Sequence, residues 1–174
     1  MAKIGFTKLN AKVNAEVKTI KYNEQDIEVK QYLPVEEKLE LVGKVINQSA
    51  DEQNFINVLK VEVFTVIEIT EAYTNINFTD KQKENSKKLY DILVSSGLYE
   101  AIRIAIPEEE LEGIIKTIDK QIKQIYNYRN SVLGILESVS ADYENLNLDA
   151  NAIKEALGDP NNMELLKNVL TKLG

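Results

Sequence analysis

The sequence contains no cysteine, no histidine and no tryptophan. These absences exclude disulfides, thiolate nucleophiles, imidazole bases and zinc sites built from His and Cys ligands. Proline and glycine are scarce, with three and seven residues among 174, and hydrophobic residues make up 44% of the chain. This composition is typical of a globular protein and unlike a disordered or collagenous chain. We therefore expect no cofactor, no metal site, no small-molecule substrate and no enzymatic activity.

Arginine is also rare, since Arg103 and Arg129 stand against 19 lysines, and the net charge is −7. Arginine supplies the bidentate contacts that proteins use to recognise phosphates and bases, so nucleic acid is not an expected partner. No uncharged apolar run approaches about 18 residues, which predicts no membrane span. The opening residues lack the apolar segment of a secretory signal peptide. We expect the protein to stay in the cytoplasm where it is made.

The positive charge that is present is concentrated at the N-terminus. Residues 1–21 contain five lysines, among them Lys3, Lys8 and Lys12, and one glutamate, a net charge of +4 that leaves −11 for the rest of the chain. Residues 1–18 show no sustained hydrophobic period and are predicted to form an irregular basic arm. Such an arm could bind an acidic partner or the acidic body of a second copy. The alternative is a solvated terminus that binds nothing.

Residues 19–32 predict a small β-hairpin, because apolar and polar side chains alternate on either side of a four-residue connection at 23–26. A two-stranded hairpin is marginal alone and needs helices to pack against. Residues 34–174 have helical periodicity and several helix-start signals. We therefore predict a mainly α-helical bundle with an N-terminal β-hairpin, folded as a single domain over residues 1–174.

The first predicted helix begins at Pro34 and ends near Ile46. Its apolar face has four members at helical spacing. These are Val35, Leu39, Val42 and Ile46. Two capping boxes, at residues 49–52 and 79–82, indicate further helix starts.

Residues 57–73 are rich in β-branched side chains, yet their polar residues recur every three positions, which favours a largely buried helix over a strand. The polar stripe consists of Glu62, Thr65, Glu68 and Glu71. Further helices are predicted over residues 86–95 and 98–106. Gly97 lies between them, where a left-handed residue is needed to end the first of the two.

The most regular segment opens with Pro107 and the acidic run 108–110, which favours a helix N-terminus through the helix dipole rather than a cation site. Aliphatic residues then recur at alternating steps of four and three, as in a heptad repeat interrupted by one arginine. The positions are Leu111, Ile115, Ile118, Ile122, Ile125, Arg129, Val132, Leu136 and Val139. We predict one long central helix over residues 107–140, about 50 Å long, followed by short helices opening near residues 149 and 160.

Arg129 occupies an otherwise aliphatic position of this series and lies beside Tyr126 and Tyr128. Either its stem packs while its guanidinium reaches water, or it makes a polar contact that fixes the register or a partner. The two tyrosines cannot share one helix face, so at least one should be exposed. Six residues are predicted to bind a partner. They are Arg129, Tyr126, Tyr128, Lys3, Lys8 and Lys12.

Four segments of the chain resemble proteins from the structural-gene modules of tailed phages that infect low-GC Gram-positive bacteria. They are IEVKQYLPVEEK at 27–38, AYTNINFT at 72–79, YNYRNS at 126–131 and LKNVLTKLG at 166–174. The abundance of Lys, Ile and Asn agrees with the AT-rich genome of such a host. In layout, a hairpin followed by an acidic helical body also resembles the phage tail assembly chaperones. Neither resemblance brings catalytic residues with it.

The resemblance implies a non-enzymatic accessory or assembly protein that acts through protein–protein contacts in head or tail morphogenesis. Its partners would be other phage structural proteins or copies of itself. It would be found in the host cytoplasm and, where incorporated, in the virion. The alternative is a phage-encoded inhibitor of a host protein, which an acidic and arginine-poor body would also suit.

Overall fold

A computed structural model describes residues 3–52, 55–131 and 134 of the chain. Contacts between residues divide the chain into two units, Met1–Gln124 and Ile125–Gly174. The first unit contains both strands and nearly all of the described helical residues, and the second begins inside the last described helix. The organisation as a single domain stays a prediction.

The predicted fold class is confirmed, because the described residues are mainly helical and contain one two-stranded antiparallel sheet near the N-terminus. The elements are β1 (Val17–Tyr22), β2 (Gln25–Lys30), α1 (Val35–Ser49), α2 (Val58–Tyr73), α3 (Asp80–Glu84), α4 (Ser86–Ser95), α5 (Leu98–Ala105) and α6 (Glu108–Arg129). Ahead of β1, residues 3–16 are irregular apart from a 3₁₀ turn at Phe6–Leu9, as the sequence predicted.

The hairpin closes through a two-residue turn, so the predicted four-residue connection is wrong. Tyr22 pairs with Gln25, and the two residues between them, Asn23 and Glu24, have positive φ angles of 45° and 65°. Positive φ at both central positions is typical of the type I′ turn, whose twist matches that of the flanking strands. The polar residues after the turn therefore belong to the ladder, and β2 ends at Lys30 rather than at residue 32.

Both strands of the hairpin contact the helices, β1 at α5 and β2 through its buried side chains. Val29 is fully buried and forms an isolated bridge with Thr74, just after α2. The backbone N–H of Glu28 donates to Oδ1 of Asn75 at 3.2 Å. These contacts supply the helical support that an isolated hairpin lacks.

The buried face of α1 overlaps the predicted one in part. Val42 is buried and Ile46 is half-buried against the core, as predicted, but Val35 and Leu39 are exposed. Leu41 and Val45 are buried instead. Both sets have helical spacing, so periodicity alone fits either face. Packing against α2 selects the second face.

Of the two predicted capping boxes, the second is confirmed and the first is wrong. Ser49 is the buried last residue of α1, and Asn57 caps α2 by accepting hydrogen bonds from the backbone N–H groups of Leu59 and Lys60. The second box opens α3 at Thr79 as expected. A Ser-x-x-Glu pattern can therefore mark the end of one helix as easily as the start of the next.

α2 is a helix as predicted, but its polar stripe is only partly exposed. Glu62 is exposed, whereas Glu68 is buried and accepts a hydrogen bond from Nε2 of Gln48 at 2.9 Å. α4 covers the predicted residues, and α5 ends one residue early, at Ala105. Gly97 has a φ of 76°, the left-handed conformation predicted for it.

α6 begins at Glu108 but ends at Arg129, so the prediction of one unbroken helix to residue 140 is wrong. The following turn contains Ser131, whose hydroxyl oxygen accepts the backbone N–H of Gly134 at 3.2 Å. A Cβ at Gly134 would clash with the carbonyl oxygen of Tyr128. The helix therefore ends at polar residues whose side chains compete for backbone groups, although the heptad pattern continues. The segments predicted after residue 134 lie outside the described residues.

The buried face of α6 also differs from the predicted heptad series at one position. Leu111, Ile114 and Ile118 are buried, whereas Ile115 is 42% exposed. A step of three or of four from Leu111 reaches the same side of an α-helix. Tertiary packing selects Ile114, which leaves Ile115 at the surface.

Replacing Glu24 by Gly is expected to raise the free energy of unfolding by about 0.5 kcal/mol. The strain of a left-handed non-glycine residue, about 1–2 kcal/mol, is relieved, and the greater freedom of glycine in the unfolded chain offsets part of the gain. Urea denaturation measures the difference. Asn23→Gly is the control and should gain less, because asparagine tolerates this conformation. Lower stability in Glu24→Gly would contradict the turn geometry.

Candidate functional site

An open groove of about 650 Å³ lies in the first unit, between the start of β1 and the corner that joins α5 to α6. Its lining combines apolar and charged side chains. They include Ile104, Leu111, Ile115, Glu108, Glu112 and Lys18. The side chain of Ile104 is 66% exposed, so the groove presents apolar surface to solvent. A concave surface with exposed aliphatic side chains and a charged rim suits a segment of protein chain.

The corner itself follows from Pro107. Ile106 takes an extended conformation (φ −78°, ψ 139°) and ends α5, as expected for a residue before proline. α6 starts directly afterwards, with the backbone N–H of Leu111 donating to the carbonyl oxygen of Pro107 at 3.1 Å. Gln31 holds the corner against the hairpin, because its Nε2 donates to the carbonyl oxygen of Ala105 at 3.0 Å.

Behind the groove, a hydrogen-bond network centred on Glu110 joins α6 to three other parts of the fold. Oε1 of Glu110 accepts the backbone N–H of Leu33 and the hydroxyl of Tyr73, both at 2.9 Å. Oε2 accepts Nζ of Lys38 at 2.8 Å, and that ammonium lies 4.0 Å from the ring centroid of Tyr32. We call these contacts the Glu110 network. The Glu110 side chain is 11% exposed, so a nearly buried charge is held by three donors.

The pKa shifts of Glu110 and Tyr73 indicate that the Glu110 network stabilises the fold. Burial by itself raises the pKa of the Glu110 carboxyl, but the donors from Lys38, Leu33 and Tyr73 outweigh burial and hold the pKa below its usual range. Burial, and then the hydrogen bond to this carboxylate, raises the pKa of the Tyr73 hydroxyl. Glu110 is thus a charged acceptor and Tyr73 a neutral donor. Their polar atoms are used to hold the fold, and Glu110 does not line the groove.

The predicted binding residues of the basic arm are all at the surface. Lys3, Lys8 and Lys12 are exposed, as is every other residue from 3 to 16. The arm also carries large apolar side chains, and Phe6 is 74% exposed. The arm therefore presents an apolar and basic segment that is not covered by the described part of its own chain.

The other predicted binding residues belong to the second unit, at the end of α6. Tyr126 and Tyr128 are both exposed, which meets the expectation that at least one would be. Arg129 is half-buried and is the last residue of the helix. The partner-binding roles of these three residues, like those of the arm lysines, stay predictions.

Sequence reasoning missed the groove and the Glu110 network. The sequence predicts a helix-dipole role for the acidic run at 108–110, and the run does occupy the first turn of α6. One of its members, Glu110, also joins distant parts of the chain. Ile115 was assigned to the buried series. The sequence signal that could have indicated the groove is Pro107 between two amphipathic helices. A sharp corner between two helices leaves some of their side chains exposed.

Among residues 3–52, 55–131 and 134, no group of three or more carboxylates is placed so that it could hold a metal ion. Within the same residues, no helix combines the length and the apolar character needed to cross a bilayer.

Replacing Glu110 by Gln should lower the free energy of unfolding at neutral pH by about 2 kcal/mol, because a hydrogen bond to a charged group contributes about 1.5–3 kcal/mol. The pKa of Glu110 lies below the usual value of about 4.3 in the folded protein. Its contribution is therefore present above that pH and is lost as the pH falls through the folded-state pKa. Urea denaturation from about pH 7 to about pH 3 should show that the variant loses less stability on acidification than the wild type.

The matched control is Glu112→Gln, two residues along the same helix. Glu112 is exposed and pairs with Lys116 one turn away, and such surface pairs contribute little to stability. An equal loss of stability in the two variants would contradict the role assigned to the Glu110 network.

Comparison with known proteins adds no relative to this description. No protein-family model, no curated protein and no solved structure matches the chain.

Proposed function

We propose that this protein acts without catalysis, by binding other proteins during assembly of a tailed-phage particle, and that its N-terminal arm makes the contact. Its partners would be other phage structural proteins or copies of itself. It would act in the host cytoplasm, and it would be retained in the virion where its partner is a virion component.

The observation that carries the proposal is the arm of residues 3–16, all of which are exposed. The side chains of Ile4 and Phe6 are 71% and 74% exposed. Burying a side chain of this size against a partner contributes about 1.5–3 kcal/mol. The nearby lysines add attraction to acidic surfaces and speed the encounter.

The absence of catalysis is supported by the chemistry that the chain offers. The sequence has neither His nor Cys, the commonest groups for base and nucleophilic catalysis at neutral pH. Three described carboxylates have a lowered pKa, namely Glu40, Glu100 and Glu110. Glu40 and Glu100 are exposed and paired with neighbouring cations, and the nearly buried Glu110 is committed to three donors behind the groove. The phage assignment is supported by the sequence resemblance alone.

Co-purification from phage-infected cells that express the tagged full-length protein tests this function, with mass spectrometry to identify the captured proteins. Virion proteins are the expected result. The variant Phe6→Asp should keep the thermal stability of the wild type and reduce capture about tenfold or more, because the lost burial exceeds about 1.4 kcal/mol.

Leu59→Asp is the matched control, since Leu59 is equally exposed but lies in the first turn of α2. It should capture virion proteins as well as the wild type does. Capture of host enzymes or regulators in place of virion proteins would contradict the assembly role and favour the inhibitor alternative. Unchanged capture by Phe6→Asp would contradict the role of the arm.

A further inference from the structure

The arm and the groove have complementary surfaces. In the arm, the apolar side chains Ile4, Phe6 and Leu9 are exposed and alternate with lysines. In the groove, Ile104 and Ile115 are exposed on opposite sides of the α5–α6 corner. The groove is therefore a concave site for side chains, and the arm is a segment whose exposed apolar side chains can fill it.

The groove has room for several side chains of such a segment. Its volume of about 650 Å³ lies within the range of about 300–1,000 Å³ found for pockets that enclose drug-sized molecules. The groove is also open to solvent, so side chains of a second chain can reach it. Phe6, the largest apolar side chain of the arm, is the one best suited to its interior.

We propose that the arm of one copy lies in the groove of a second copy, whose own arm lies in the groove of the first. This inference rests on the proposed function in one respect, that the arm is the segment that makes contacts. The occupant of the groove is thus residues 3–16 of a second copy of this chain, and the contact is reciprocal, as in other two-fold symmetric dimers.

Charge favours the basic arm of this chain as the occupant. Residues 3–16 carry three lysines and one glutamate, a net charge of +2, and the chain from residue 22 onward carries −11. At the groove, Glu108 and Glu112 lie one turn apart on α6, and Lys18 and Arg103 also line it. The arm is therefore attracted by the acidic body as a whole as well as by the two carboxylates of the groove. Glu112 pairs with Lys116, whereas Glu108 has no ion-pair partner among the described residues. The Lys8 ammonium of an incoming arm would provide one.

The position of the groove also favours exchange. Lys18 lines the groove and lies two residues beyond the end of the arm. In each copy, the arm therefore joins the body beside the groove. When two copies meet at this face, both arms and both grooves lie at the same interface. The 14 residues from 3 to 16 span at most roughly 46 Å when extended, at about 3.3 Å per residue.

A disulfide cross-link tests the exchange directly, because the natural chain contains no cysteine. Phe6→Cys and Ile115→Cys are prepared as two separate full-length variants, one of them with a tag that changes its mobility, and are mixed under mild oxidation. A mixed disulfide requires the two Cα atoms to approach within about 7 Å. We expect the mixed dimer to form at least about fivefold more than in the control mixture of Phe6→Cys with Leu39→Cys.

Leu39 is a suitable control because it is exposed and lies on α1, outside the groove lining. Phe6 and Ile115 are exposed within one copy, so each variant should fold as the wild type does. Ile104→Cys repeats the test from the other wall of the groove, in case one substitution disturbs folding. Equal cross-linking to groove and control positions would overturn the proposal.

A double variant with Phe6→Cys and Ile115→Cys in one chain separates exchange from folding back. If the disulfide forms within one chain and not between two chains when the protein is diluted, the arm covers its own groove. That result would overturn the exchange.

The exchange and the proposed function can be contradicted independently of each other. Absence of the mixed disulfide together with Phe6-dependent capture of virion proteins would overturn the exchange and leave the proposed function. A mixed disulfide without any virion partner would overturn the proposed function and leave the exchange.

Discussion

The fold depends most on one carboxylate, that of Glu110, which binds three donors from separate parts of the chain. Those donors come from Leu33 after β2, Lys38 in α1 and Tyr73 at the end of α2. A charge that is nearly buried is costly unless all of its hydrogen-bonding capacity is used. The network therefore restricts where α6 can begin, and it fixes that start against the hairpin and the first two helices.

Fixing the start of α6 has a consequence at the surface. Pro107 forces a corner between α5 and α6, and the position of α6 leaves Ile104 and Ile115 on the walls of an open groove. The same chain leaves an apolar, basic arm uncovered ahead of β1. Burying exposed aliphatic side chains against another surface removes them from water and lowers the free energy. We propose that the two surfaces together allow the protein to bind another chain.

Local sequence signals predicted where the helices and strands lie better than they predicted which face of each helix is buried. Gly97, Thr79 and the hairpin pattern act within a few residues, so the sequence alone identifies a left-handed cap, a capping box and two strands. Faces depend on partners distant in the chain. Spacing from Leu111 permits either Ile114 or Ile115 to be buried, and only packing decides between them.

The groove and the Glu110 network could not be predicted for the same reason. Nothing near Glu110 in the sequence indicates that Leu33 and Tyr73 will converge on it, and an acidic first turn has a sufficient local explanation in the helix dipole. The end of α6 at Arg129 was missed because a regular heptad pattern outweighed the polar residues that follow it.

We propose that the exposed arm of this chain binds a second copy. Size-exclusion chromatography with light scattering on the pure full-length protein, over a range of protein and salt concentrations, tests it most directly. We predict a dimer at low salt that dissociates toward monomer as salt approaches about 1 M, where charges are screened within about 3 Å. A monomer at every protein and salt concentration would contradict the claim.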